Sequence, residues 1–271
     1  MSVVEDAYTY FAIKTVSLKD TKVISWGSPC AFRSADRYRE DIYSFSWRIP
    51  KVESPFWDQF DTFFFAIPKT GSHGLGKKIN RYNFMGHLFG CQYPERIRHK
   101  LRTIVRNPYD RLVSAYYFMI RGGFNNNPYY LKVKEDYRDF ADWVLNGLNP
   151  EYFEIEGRLD ANRLWTEAFL PQSEWLLDEI GELVLDEEYI GKYENLVKDA
   201  KQLLNINLNT HLNKSNDRCE DWRIYFTNRK VREKVEKLYK KDFELLKYCY
   251  YIPSETINQE MILKRDSFSF K

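Results

Sequence analysis

The chain has 271 residues, 44% of them hydrophobic and 30% charged. That is enough for one sizeable α/β core, and 7 Trp, 20 Tyr and 19 Phe exclude a chain that stays disordered. The net charge of +2 singles out no partner, and no apolar run approaches the roughly 18 residues of a membrane-spanning helix. The distribution of charge says more. Lys and Arg outnumber Asp and Glu by eleven to two from Lys69 to Arg121, whereas acids lead by eighteen to seven from Gly122 to Asp199. A basic block beside an acidic one suits a focused anion site, and no nucleic-acid partner is expected. The four cysteines, Cys30, Cys91, Cys219 and Cys249, form no Cys-x-x-Cys pair, and the first twenty residues carry no basic segment followed by an apolar one. These features lead to the expectation of a reducing, cytoplasmic setting without structural zinc.

In chain order, residues 1–58 read as a short-stranded or irregular lead-in packed on the core. Residues 59–250 read as the domain proper and 251–271 as a tail, one structural domain overall. The apolar run 61–67, bounded by Pro68, predicts a strand buried on both faces. Glycines 71, 74 and 76 follow, and 101–105 is a second short strand candidate. Asn107-Pro108 starts a helix over 109–120 with Leu112, Ala115, Tyr116 and Met119 on one face, and Gly122-Gly123 stops it. Residues 125–128 read as a loop. Helical patterns recur over 137–145, 160–169 and 194–204, a strand is predicted at 183–185, and 228–246 reads as one long helix. Strands alternating with helices predict an α/β fold, a central parallel sheet flanked by helices.

The strand 61–67 runs into Pro68-Lys69-Thr70-Gly71-Ser72-His73-Gly74-Leu75-Gly76-Lys77-Lys78, a strand–loop–helix start suited to a phosphate. Two readings stand. From Gly71 the segment is Gly-x-x-x-x-Gly-Lys, the loop of an ATP-dependent P-loop kinase or NTPase, with 183–187 as an accompanying acidic strand. Lys78 then occupies the place of the Ser or Thr that helps to hold Mg²⁺. From Pro68 the segment resembles the 5′-phosphosulfate loop of the sulfotransferases. The stretch Arg106-Asn107-Pro108, followed by a helix bearing Ser114, resembles the 3′-phosphate motif of the same family. Gly191-Lys192-Tyr193-Glu194-Asn195-Leu196 and the closing Tyr239-Lys240-Lys241-Asp242-Phe243 resemble segments of carbohydrate O-sulfotransferases, so the resemblance runs over roughly 60–250 in the expected order. It implies a P-loop-NTPase-like sulfotransferase fold. His73 stands where the family has a small hydroxyl residue, and Asn107 where it has Asp.

The resemblance implies 3′-phosphoadenosine 5′-phosphosulfate (PAPS) as donor, 3′-phosphoadenosine 5′-phosphate (PAP) as product, and no required metal. Pro68, Lys69, Thr70, Gly71, Ser72 and His73 would hold the 5′-phosphate end, with Lys69 on the leaving oxygen. Arg106 and Ser114 would hold the 3′-phosphate, and Lys214 and Ser215 would close over the nucleotide. His87, in Gly86-His87, resembles the base of uronyl 2-O-sulfotransferases, with His73 as competitor. Gln172, in Pro171-Gln172, resembles a residue near the acceptor cleft. The acceptor class implied is a carbohydrate hydroxyl, with Trp143, Trp165 and Trp175 as candidates to stack on sugar rings. A nucleotide-binding scaffold without turnover is the third class of reading.

Overall fold

The computed structural model describes residues 8–13, 45–50, 58, 60–76, 78–79, 93, 95–123, 128–150, 168–178, 181–208 and 221–252. Near the N-terminus, β1 (Tyr8–Ile13) pairs antiparallel with β2 (Phe45–Pro50), Tyr8 opposite Pro50 and Ile13 opposite Phe45. The lead-in therefore contains a two-stranded ribbon.

Three parallel strands organise the rest. β3 (Phe63–Phe64) pairs with β4 (Leu101–Val105), and β4 pairs with β5 (Ile190–Lys192), so β4 is central. The apolar run around β3 alternates as a strand buried on both faces must. Phe63, Phe65 and Ile67 pack with Leu101, Val105 and Trp175, while Phe64 and Ala66 pack with Ile104, Leu196 and Ala200 on the other side. All of these side chains are buried, each large one stabilising the fold by about 1.5–3 kcal/mol. Ladder pairing ends at Phe64, but the extended chain continues, with Phe65 N–H donating to Arg102 C=O at 3.1 Å and Thr103 Oγ1 to Phe65 C=O at 2.9 Å.

α1 (Ser72–Gly76) follows β3, and α2 (Pro108–Met119) follows β4. Pro108 fits the first turn of α2, and the Asn107 side chain accepts the Tyr109 N–H at 3.0 Å, so Asn supplies the cap that Asp would. Leu112, Ala115, Tyr116 and Met119 are buried as the three-to-four spacing predicts. Beyond it come α3 (Pro128–Asp136), α4 (Phe140–Asp142) with a π turn over Trp143–Gly147, α5 (Ser173–Leu176), α6 (Leu196–Leu204), α7 (Arg229–Leu238) and α8 (Lys240–Leu245).

The sequence reading departs from this in four places. The predicted strand 183–185 is no part of the sheet, because Leu183 makes one isolated antiparallel bridge to Leu177. The third strand is Ile190–Lys192, and Gly191 explains why it can sit there. A Cβ at Gly191 would lie 2.5 Å from Ile104 Cδ1 and 2.9 Å from Leu203 Cδ1, so glycine lets α6 pack down on the sheet without displacing those side chains. The helix predicted over 228–246 is two helices, broken at Tyr239, whose φ of −107° and ψ of 20° leave the helical region. Pro128, the last residue of the predicted loop 125–128, is instead the first of α3, and 125–127 lie outside the described residues. The pattern at 160–169 falls mostly outside the described residues.

Candidate functional site

Parallel pairing places the carboxyl ends of β3, β4 and β5 on one edge of the sheet, where open α/β folds bind ligands. From those ends leave Pro68–Lys69, Arg106 and Tyr193, one from each of three sequence motifs. They meet. Arg106 Nη1 donates to the Lys69 carbonyl at 3.1 Å, and the Arg106 guanidinium lies 4.1 Å from the Tyr193 ring centroid.

The first loop turns sharply because Lys69 (φ +69°) and Gly71 (φ +83°) both adopt left-handed backbone, while Thr70 Oγ1 ties back to Ile67 C=O at 2.8 Å. Such turns gather backbone N–H groups into anion-binding nests. At Gly71 a Cβ would approach Tyr193 Cε2 to 2.8 Å, so glycine is required both for the turn and for Tyr193 to close against it. Tyr193 thus packs between the loop and Arg106. The next residue, Glu194, accepts Asn107 N–H at 2.7 Å and Tyr248 O–H at 2.8 Å, binding the third motif to the second.

Helix α2 has one partly exposed stripe. Nine of its residues are buried; the three that are not, Asp110, Ser114 and Phe118, are spaced i, i+4, i+8 and share a face, about 6 Å apart along the axis. Asp110 pairs with Arg106 Nε and Nη2, both at 2.7 Å, with the Arg106 side chain 5% exposed. Lys69 Nζ stands 3.9 Å from the Phe118 ring centroid. Arg106 therefore anchors one end of the stripe and Lys69 the other, with the Ser114 hydroxyl residue between them. The row holds two cations, one of them paired with the Asp110 carboxylate, and a neutral hydroxyl residue; Arg, Lys and Ser are residue types that recognise a molecule carrying two separated anionic groups.

Behind the row lies a buried polar layer of Arg111, Gln172, Ser173 and Asp242. Arg111 donates to Pro68 C=O at 2.8 Å and to Leu170 C=O at 2.6 Å, and burial pulls its guanidinium down to about 10, leaving it charged at neutral pH. Burial raises the Asp242 carboxyl above the ordinary carboxylate range, against the opposing pull of the Ser173 and Gln172 N–H groups and of Arg111. Gln172 is fully buried, with its amide turned onto the Arg106 backbone. This corrects its assignment to the acceptor cleft, because a fully buried amide bonded to the Arg106 backbone faces no acceptor.

Of the sequence candidates, Pro68, Lys69, Thr70, Gly71, Ser72, Arg106 and Ser114 are brought together by the β3 and β4 ends and α2. His73 lies in α1 with its side chain outside the described part, and His87, Lys214 and Ser215 lie outside the described residues. Trp143 and Trp175 are 0% exposed core residues, which corrects their assignment as sugar-stacking platforms; Trp165 lies outside the described residues. Sequence reasoning gave no role to Asp110, Phe118, Tyr193 or Glu194. The Arg106–Asp110 spacing of four was the visible signal for the first of these.

The alternative P-loop reading does not fit the backbone. Residues 72–76, which would have to form the phosphate loop ahead of Lys77, are already helical, with Gly74 and Leu75 N–H donating to Gly71 C=O. The strand proposed to carry its acidic partner is absent from the sheet. Among the described residues no three His, Cys, Asp or Glu side chains converge as a metal site, and no helix is long and apolar enough to cross a membrane.

A model of the sulfotransferase family matches residues 66–249, more than half of the chain. The chain belongs to the sulfotransferase family, and the three-stranded parallel sheet with its flanking helices is the α/β core of that fold. No curated protein and no solved structure matches it.

Proposed function

We propose that this sulfotransferase moves the sulfuryl group of PAPS to an acceptor hydroxyl, with a carbohydrate as the acceptor class. The observation that supports the donor assignment is the partly exposed stripe of α2, on which Ser114 lies, by helix spacing, between the residues that meet Arg106 and Lys69. A donor with a 3′-phosphate at Arg106 and Ser114 and a 5′-phosphosulfate at the Lys69 loop matches that row. In the reaction the acceptor oxygen forms a bond to sulfur as the bond from sulfur to the 5′-phosphate oxygen breaks, and its electron pair leaves with PAP. Lys69 and the loop N–H groups stabilise charge on that leaving oxygen. The acceptor proton passes to a general base, to which we assign His87, with His73 serving the donor loop. Lys214 and Ser215 are assigned to closing the nucleotide site. The carbohydrate class rests on the resemblance of the Gly191–Leu196 and Tyr239–Phe243 segments alone.

The test compares His87→Ala and His73→Ala side by side for kcat and PAP affinity. Loss of a general base costs about 10²–10⁴-fold in rate. His87→Ala should lose turnover on that scale with PAP affinity intact and flatten the low-pH limb of the rate profile, whereas His73→Ala should mainly weaken donor binding. The opposite pattern exchanges the roles.

A further inference from the structure

Gln172 makes an unusual pair of bonds. Its Oε1 accepts the Arg106 backbone N–H at 2.8 Å, and its Nε2 donates to the Arg106 backbone C=O at 2.7 Å. One side-chain amide thus grips the peptide groups on both sides of a single Cα, as a neighbouring strand would, just where β4 ends. Gln172 is itself held. Asp242, in α8, accepts the Gln172 N–H at 2.8 Å and the Ser173 N–H at 2.7 Å, one on each carboxylate oxygen. All three side chains are almost or fully buried: Arg106 4%, Gln172 0% and Asp242 0% exposed.

A buried amide and a buried carboxylate are costly unless they fix something. What they fix is the backbone of Arg106, the root of a long side chain whose guanidinium is held at its far end by Asp110, the Lys69 carbonyl and Tyr193. We propose that Gln172 and Asp242 are positioning residues for donor recognition: the closing helix pins Gln172 through Asp242, and Gln172 clamps Arg106 so that its guanidinium is preorganised for the 3′-phosphate. This rests on the assignment of Arg106 as the 3′-phosphate ligand. Neither residue touches the donor. Their effect is confined to the end of the nucleotide that Arg106 reads, because preorganisation lowers the ordering cost of that one contact.

The experiment measures the affinities of PAP and of adenosine 5′-monophosphate, which lacks the 3′-phosphate, for the full chain by calorimetry. The variants are Gln172→Met, Gln172→Glu and Asp242→Asn, with Arg106→Gln alongside. Met keeps the length of Gln without its amide. Glu keeps the acceptor for the Arg106 N–H but loses the donor to its C=O, so one of the two serves if the other fails to fold. The expected result is a loss of PAP affinity of about tenfold, the scale of one or two hydrogen bonds, with less than a twofold change for adenosine 5′-monophosphate. A general loosening of the fold would weaken both nucleotides alike, and that result overturns the proposal, as does unchanged PAP affinity in the folded variants. If Arg106→Gln abolishes the preference for PAP and the Gln172 variants do not, the clamp alone is wrong. If Arg106→Gln leaves the preference intact, the assignment of Arg106 falls and takes the clamp with it.

Discussion

At the scale of single residues, Lys69 and Gly71 separate chemistry from shape. In the proposed reaction Lys69 acts on charge that develops as the sulfuryl group leaves, so Lys69→Ala should lower kcat far more than PAP affinity, and single-turnover kinetics with PAP titrations would show the split. Gly71 acts through geometry. Alanine there would take a left-handed backbone and drive its Cβ to 2.8 Å from Tyr193, so Gly71→Ala should cost at least about 1 kcal/mol of stability and displace the ring from under Arg106. Its signature is loss of PAP affinity together with a lower melting temperature. Asp242 adds a pH dependence whose sign follows from burial. Its carboxyl is raised in the folded chain, chiefly by desolvation, so an unfolded chain gives up that proton first as the pH rises past the ordinary value of 3.8. Stability from this group is present below that value and is lost as the pH climbs through the raised one. Asp242→Asn removes the titration, so the stability advantage of the wild type over this variant should be largest at low pH and shrink toward neutrality. Urea unfolding at several pH values checks it, and an advantage that grows with pH contradicts it.

Among the elements, α2 and the turn after β5 carry the site, and they differ in how far the sequence announces them. Helix α2 is legible because its signals are local: Asn107-Pro108 at the start, Gly122-Gly123 at the stop, and apolar residues at helical spacing between. The β3 run is legible for the same reason. Strand β5 is not, because its three residues include two half-exposed ones and its extended state is imposed by pairing with β4. The break at Tyr239 is equally hidden, since no Gly or Pro marks it and the apolar spacing of Val231, Val235 and Tyr239 continues into it. Lys69, Arg106 and Ser114 stand in local motifs that the sequence displays, whereas the inward amide of Gln172 depends on a partner 66 residues away. Glu194 belongs with these nonlocal contacts. It ties Asn107 N–H to Tyr248 O–H, so Glu194→Ala should loosen the joint between β4 and α2, weakening PAP binding several-fold, while Tyr248→Phe, which removes one of the two bonds, should do less. Equal PAP affinities for wild type and Glu194→Ala would show that the joint holds without it.

On the scale of the whole molecule, three parallel strands bring three distant motifs to one edge, and the buried layer of Arg111, Gln172 and Asp242 ties that edge to the closing helix α8. Two cations of the basic block, Lys69 after β3 and Arg106 after β4, thereby stand at the sheet edge. With PAPS as the proposed donor, side chains and backbone N–H groups would neutralise both phosphates, so transfer should proceed undiminished in excess EDTA. Thermal unfolding of the full chain, with EDTA and PAP in one arm and ATP with Mg²⁺ in the other, tests the two-anion reading most directly. Stabilisation follows RT ln(1 + [L]/Kd), about 2.7 kcal/mol at a hundredfold excess over Kd. A clear rise in melting temperature with PAP in EDTA, abolished by Arg106→Gln, is the expected result; stabilisation by ATP–Mg²⁺ with none by PAP would contradict the assignment of PAPS as donor.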